Sequence, residues 1–402
     1  MTKKKILLLS SYGGYGHMAA ANTLRELVGD EYTFDVAYPI KEVRFCGVPS
    51  GESLYNYCLG KNWTRFMNLV VKHLPHHFFA KSEKKIQKQI EAHIERYRPD
   101  MVISLIPYVN FPAQEAARTY SLPFLLVTTD NELKKWVFNL EKKQYSLFKT
   151  TIGHNLPTSK GRLLKCGVPE EMIETTGLPL RPSFLSGESK EVLRQKYEIP
   201  QSKKVVLVVM GGLGAHTSYL YAKAIGKSAL NVHLIVCIGK QKHLAQKLKK
   251  LKLAPGNSID LIPFTEKVHE LFFLSDLLIT KSGPGTMIEA FASKLPILID
   301  QTKESLFWEK PNIDLVLSRK VGSCIYSYKE APELVRKYLY DKEVSEAVAK
   351  AYESIEPNRF ADRIKSLLEE MCAEPMAGEV VMTSRSVLKE DPLSTSFMKE
   401  FR

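Results

Sequence analysis

Cysteine is scarce in this 402-residue chain: six residues, Cys46, Cys58, Cys166, Cys237, Cys324 and Cys372, with no Cys-x-x-Cys pair. That scatter excludes a disulfide framework or a zinc cluster and fits reduced thiols in a cytoplasmic protein. Long apolar runs are missing too, and nothing approaches the ~20 residues of a membrane-spanning helix. The opening "MTKKKILLLSSYGG" carries lysines before an apolar run at 6–9, but the core of a signal peptide needs ~7–15 residues. A buried first strand explains it better, so a cytoplasmic protein that at most lies on a membrane is expected. Acidic residues are in deficit, 44 against 57 Lys plus Arg, for a formal charge of +13. Such an excess suits nucleic acid, anionic lipid or phosphorylated substrates. No nucleic-acid-binding module accompanies the basic residues, which argues against the first.

What is present is alternation. Apolar runs at 6–10, 34–37, 101–105, 124–128 and 150–153, then 205–210, 233–238, 260–262, 277–280 and 297–299, are separated by helical patterns. This predicts an α/β protein with parallel sheets. Ile86, Ile90, Ile94 and Tyr97 fall on one helix face. The start "KKKILLLSSYGGYGH" is echoed by "KKVVLVVMGGLGAHT" near 203, which predicts two Rossmann-like halves. We divide the chain into a first half, 1–178, a linker rich in Pro, Gly and Ser, 179–200, a second half, 201–372, and a loosely ordered tail, 373–402.

The glycine loops mark anion sites. Gly13, Gly14 and Gly16 lie between a strand and a helix, where unpaired amides and the positive helix end attract negative charge. Gly14 to Ala19 also fits G-x-G-x-x-A, with Asp35 downstream, a pattern that a dinucleotide enzyme would share. His17 stands in the first helical turn, where the dipole favours a neutral imidazole able to act as a base. Gly212 and Gly214 repeat the device in the second half, and "KSGPGTMIEA" adds Gly283, Pro284, Gly285, Thr286 and, one turn later, Glu289. Two such turns in one sheet suit a diphosphate, with Glu289 placed to accept from ribose hydroxyls.

At this point the chain resembles glycosyltransferase family 28, and most closely the monogalactosyldiacylglycerol synthases and processive diacylglycerol glucosyltransferases. "ITKSGPGTMIEAFASKLPILI" is similar to their donor-binding segment, and "SSYGGYGHMAAANTLRE" to their first glycine loop. "TTGLPLRPSF", "YRPDMVISLIPY" and "VTTDNELKKWVF" resemble three further segments in the same order. The resemblance implies a GT-B architecture of two Rossmann-like domains facing across a cleft. It implies an inverting transfer from a UDP-sugar, UDP-glucose or UDP-galactose, to diacylglycerol or a related lipid. No cofactor or metal is expected, since no convincing Asp-x-Asp motif is present. His17 then matches the catalytic base and Asp130 its acidic helper near the acceptor. Gly212, Gly214, Gly283, Gly285 and Thr286 match the diphosphate cradle and Glu289 the ribose ligand. Phe264 lies beside the expected uracil contact, and Glu309 and Asn312 match the sugar-contacting pair. The chain departs from the pattern at Tyr15, Met18 and Trp308, and has Lys134 or Lys135 near an expected histidine.

Residues 60–85 are basic and aromatic, with Trp63, Arg65, Phe66, Phe78 and Phe79 as expected contacts to an anionic membrane surface. The expected function is therefore a peripheral membrane hexosyltransferase of glycolipid biosynthesis. The same features also accommodate transfer to a polyprenyl-linked sugar, a UDP-sugar epimerase, or a catalytically silent UDP-sugar- or lipid-binding protein.

Overall fold

The computed structural model describes residues 3–13, 16–41, 44–45, 48–49, 57–58, 63–211, 216–239 and 241–373. Six strands form the first sheet: β1 (Lys4–Leu9), β2 (Tyr32–Ala37), β5 (Met101–Ser104), β6 (Phe124–Val127), β7 (Phe148–Ile152) and β8 (Ile173–Thr175). A two-stranded hairpin, β3 (Arg44–Phe45) and β4 (Val48–Pro49), stands apart. The second sheet holds β9 (Lys204–Val209), β10 (Val232–Gly239), β11 (Ser258–Pro263), β12 (Leu277–Thr280), β13 (Ile297–Asp300) and β14 (Gly322–Ile325). Pairing in both large sheets is parallel. Helices cover both faces, which is why β5, β6 and β12 read as continuous apolar runs with every residue buried.

Strand order locates the site. The first sheet runs β2-β1-β5-β6-β7-β8 and the second β11-β10-β9-β12-β13-β14. In each, the order reverses direction beside the first strand, between β1 and β5 and between β9 and β12. Ligands of open α/β sheets bind at the carboxyl ends of the strands flanking such a reversal. The loops there are the one leading to His17 and the one at 281–285.

The ten expected strands are all present, and β8 and β14 are added at the edges. Their sequences, Ile-Glu-Thr and Gly-Ser-Cys-Ile, are too short and mixed to read as buried runs. The long helix Thr64–Tyr97 buries Ile86, Ile90 and Ile94 as expected. Residues 179–200, read as a linker, are well packed: Leu180, Phe184, Leu193 and Ile199 join the core of the second sheet. Arg194 and Lys190 both bind Asp276 there, at 2.6 and 2.7 Å. The final helix, Phe360–Ala373, was grouped with the second half, but Phe360, Ile364, Leu367 and Leu368 pack against Ile6, Leu8 and Leu24 of the first. It recrosses the molecule and ties the halves together. Residues 374–402 of the expected tail lie outside the described residues.

Candidate functional site

On the second half, β12 ends at Thr280 and the helix Pro284–Ala292 begins four residues later. Pro284 sits at the first helical position, where its missing N–H costs no bond. Gly283 has φ −63°, a conformation open to any residue, so backbone geometry does not demand glycine. A Cβ at Gly283 or Gly285 would meet no protein atom within 4 Å. What glycine preserves here is bare backbone against open space, as close approach of a ligand requires. Thr286 is half-buried beside it. Ser282, buried, donates to Glu309 Oε2 at 2.8 Å, and Asn312 donates to the Ser282 carbonyl at 2.8 Å. The Glu309 carboxyl is pushed up to about 7 by burial, partly offset by Ser282 and Lys281.

Glu289 receives Arg181, whose Nη2 and Nε lie 2.6 and 3.0 Å from the same oxygen, Oε1. Burial raises the Glu289 carboxyl and the guanidinium opposes that rise. Arg181 comes from "TTGLPLRPSF", quoted above for the family likeness but not singled out. Phe264 follows β11 and is half exposed.

The first half supplies ionisable groups. His17, half-buried in the opening turn of Gly16–Val28, places Nδ1 3.2 Å from the Thr129 hydroxyl. Burial holds its imidazole down at about 4, with Lys135 acting in the same sense and a Leu105 backbone hydrogen bond acting against it. It is a neutral ring at pH 7. Asp130 is raised to about 6 by burial, and Trp136 Nε1 donates to it at 3.3 Å. Trp136 also lies 6.0 Å from the His17 ring, so the expected pair meets through the indole. Lys135 is buried, and burial lowers its amine to about 7 against the pull of Asp130 and Glu132.

The two surfaces touch. Asn131 Nδ2 donates to Asn312 Oδ1 at 2.9 Å across the cleft, both residues buried. Lys135 Nζ sits 3.2 Å from the centre of the Trp308 ring and 4.6 Å from that of Phe307, a cation–π contact between halves. The two departures from the family pattern that looked separate, Lys135 and Trp308, are thus partners. Sequence reasoning missed Asn131, Ser282 and Arg181 as site residues. Nothing in the chain links Asn131 with a residue 181 positions later.

His17 and Asp130 stand on the first wall of the cleft; Glu309 and Asn312 belong to the second with Gly283, Pro284, Gly285, Thr286 and Glu289, and Asn312 is buried with both amide atoms hydrogen-bonded. Gly13 and Gly16 flank the first loop, and a Cβ on Gly16 would meet nothing. Gly14, Gly212 and Gly214 lie outside the described residues. Trp63, Arg65 and Phe66 are exposed. Phe79 is not a surface contact: it is buried and stacks on Tyr108 at 4.6 Å. Phe78 is half-buried against the same core. Asp35, the ribose ligand of the dinucleotide alternative, lies within β2 and pairs with Arg96 at 3.4 Å, short of the strand end where such a ligand must reach.

Two parallel six-stranded Rossmann-type sheets that meet at the loops after their strands define a GT-B protein. The crystal structure of Acinetobacter baumannii MurG shares this fold, with a TM-score of 0.60 at 15% identity over 92% of this chain and all of that one. Residues 17–180 match the monogalactosyldiacylglycerol (MGDG) synthase family and residues 205–367 the glycosyltransferase family 28 C-terminal domain. The chain therefore belongs to glycosyltransferase family 28, in its MGDG synthase-like group. Similar curated relatives are the processive diacylglycerol beta-glucosyltransferases of Bacillus cytotoxicus, 26% identical over 98% of both chains, and of Bacillus subtilis strain 168, 25% identical over 93% of this chain and 96% of that one.

Proposed function

We propose that this protein transfers a hexose from a UDP-sugar to diacylglycerol or a related lipid, with inversion, at an anionic membrane surface. The observation that carries the reading is His17, 3.2 Å from the Thr129 hydroxyl and beside Trp136, on the face of the first half whose Asn131 and Lys135 meet Asn312 and Trp308 of the second. The relatives' activity on diacylglycerol supplies the acceptor class, and UDP-glucose and UDP-galactose are the proposed donors.

The diphosphate lies over bare backbone at Gly283 and Gly285, with the Thr286 hydroxyl and the N-terminus of Pro284–Ala292 stabilising charge on the departing UDP. Ribose hydroxyls donate to Glu289, whose Oε2 is left over by Arg181. Phe264 stacks on the uracil. Glu309 receives a sugar hydroxyl, and Asn312, its amide bonded to Ser282 and Asn131, holds the wall behind it. An acceptor hydroxyl displaces Thr129 from His17 Nδ1 and gives up its proton there as its oxygen bonds to the anomeric carbon. The C–O bond to the diphosphate breaks on the opposite face, giving a β-glycoside and UDP. Asp130, one indole away, favours the imidazolium that forms. The backbone and helix end take the place of a resident metal, so chelation with EDTA is expected to leave the rate unchanged.

Among the described residues, no helix is long and apolar enough to cross a membrane. Arrival at the lipid is assigned to the exposed Trp63 and Phe66 with nearby basic residues. The test is transfer of label from UDP-glucose, UDP-galactose and UDP-N-acetylglucosamine into diacylglycerol vesicles. Labelled lipid from one of the first two supports the reading; no label from any donor overturns it.

A further inference from the structure

The start of the helix Thr64–Tyr97 has two working faces. Its outer face carries Trp63, Phe66 and Leu69, exposed by 51, 47 and 54%, with Tyr57 at 56% beside them. The rings form one ridge: Tyr57 meets Trp63 at 6.0 Å and Trp63 meets Phe66 at 6.3 Å, both edge to face. Trp63 and Lys81, and Phe66 and Lys84, are each about five turns apart at 3.6 residues per turn, so cations share the side of the ridge. Lys81, Lys84, Lys85 and Lys88 are all exposed. An aromatic ridge continued by lysines complements an anionic bilayer interface.

The inner face of the same turns belongs to the other half of the molecule. Met67 and Cys58 are buried in a cluster with Leu306 and Trp308, against which Val71 and Phe307 pack. Asn68 makes the polar join. Its Nδ2 donates to the Ser305 carbonyl at 2.9 Å and to Glu304 Oε1 at 3.1 Å, and its Oδ1 accepts from the Phe307 backbone at 3.0 Å. The loop so held leads into the donor wall. Gln301 donates to Ser305 Oγ at 2.6 Å, Ser305 Oγ lies 3.2 Å from Ser282 Oγ, and Ser282 binds Glu309.

We propose that Asn68 is a positioning residue of the donor site, and that through it a lipid surface bound at the aromatic ridge strengthens sugar-nucleotide binding. The ridge enters the bilayer interface, the helix start is held there, and Asn68 keeps 304–309 in the shape that presents Ser282 and Glu309. The inference rests on the transferase reading above.

The test measures UDP affinity by calorimetry, with and without phosphatidylglycerol vesicles, alongside vesicle sedimentation. Wild type is expected to sediment and to bind UDP about tenfold more tightly on vesicles, the effect of ordering one loop. Asn68→Ala sediments equally but loses that gain. Asn68→Asp keeps an acceptor for the Phe307 N–H without the donors and falls between, which also covers the case in which the alanine variant does not fold. The pair Trp63→Ser with Phe66→Ser loses sedimentation and keeps the solution affinity. Equal gains in wild type and Asn68→Ala, or no gain in wild type, overturn the proposal and leave the transferase reading standing. No UDP binding by wild type under either condition overturns that reading itself.

Discussion

"KKKILLLSSYGGYGH" and "KKVVLVVMGGLGAHT" open the two sheets on one plan, a basic pair, a buried strand, a glycine loop and a helix, yet the two halves offer the cleft different chemistry. The first half brings His17, Asp130 and Lys135, all displaced by burial from their ordinary ranges. The second brings bare backbone at 283–285, the hydroxyls of Ser282 and Thr286, and the Asn312 amide. A Rossmann half fixes where loops converge, at the carboxyl ends beside the strand-order reversal. What those loops do depends on a handful of side chains. In the proposed mechanism proton handling sits on one wall and anion binding on the other, and each can be removed separately.

The sharpest break in that division is His17→Ala. General-base contributions run to about 10²–10⁴-fold, so transfer to lipid is expected to fall by about a thousandfold while UDP affinity stays within about twofold. Equal rates for mutant and wild type in the labelled-donor assay would move the base elsewhere. The mirror experiment is Glu289→Ala on the other wall. It removes a buried acceptor and strands Arg181, and calorimetry should show UDP binding weakened about tenfold. An unchanged affinity would end the ribose role.

A smaller effect appears in the pH profile. Asp130, raised to about 6, takes up a proton as pH falls through that value. Lys135, lowered to about 7, gives one up as pH rises. A charged Lys135 over Trp308 holds the halves together, so kcat is expected to peak between about pH 6 and 7 and decline on both sides. Glu309 also titrates at about 7, so the assignment depends on the variant. Lys135→Met should flatten the alkaline limb and, because the Lys135 charge holds the Asp130 carboxyl down, move the acid limb to higher pH; two unchanged limbs would reassign both.

The comparison also explains what the sequence made legible. Buried parallel strands are near-continuous apolar runs, so ten of the twelve strands in the two large sheets, and the turn at 281–285 after β12, could be read directly. The edge strands β8 and β14 could not, because Ile173–Thr175 and Gly322–Ile325 carry little of that signal. Single-wall residues such as His17 and Glu289 were legible from their offset to a strand end. Residues defined by a contact between walls were not: Asn131 with Asn312, Lys135 with Trp308 and Asn68 with 304–307 are joined only by the docking of two sheets. Phe79 shows the same limit in reverse. Its aromatic, basic neighbourhood suggests a membrane contact, but its helical phase turns it onto Tyr108 in the core.

The smallest expected effect concerns stability on the first wall. Asp130 has a folded-state pKa raised from 3.8 to about 6, chiefly by burial. The folded protein therefore holds this proton more tightly than the unfolded chain does. Its relative stabilisation is complete below about pH 4 and is lost as pH rises through 6, after which a charged carboxylate is buried at a cost. Asp130→Asn keeps a carbonyl to accept from Trp136 Nε1 and removes that charge. The variant is expected to melt a few degrees above wild type at pH 8, on the usual scale of ~2–4 °C per kcal/mol for domains of this size. The gain should shrink to nothing by pH 4, where the wild-type carboxyl is already neutral. Scanning calorimetry at the two pH values checks both the size and the sign. A gain larger at pH 4 than at pH 8 would mean that Asp130 is held ionised, and the first wall would then carry a fixed negative charge beside His17 throughout the working range.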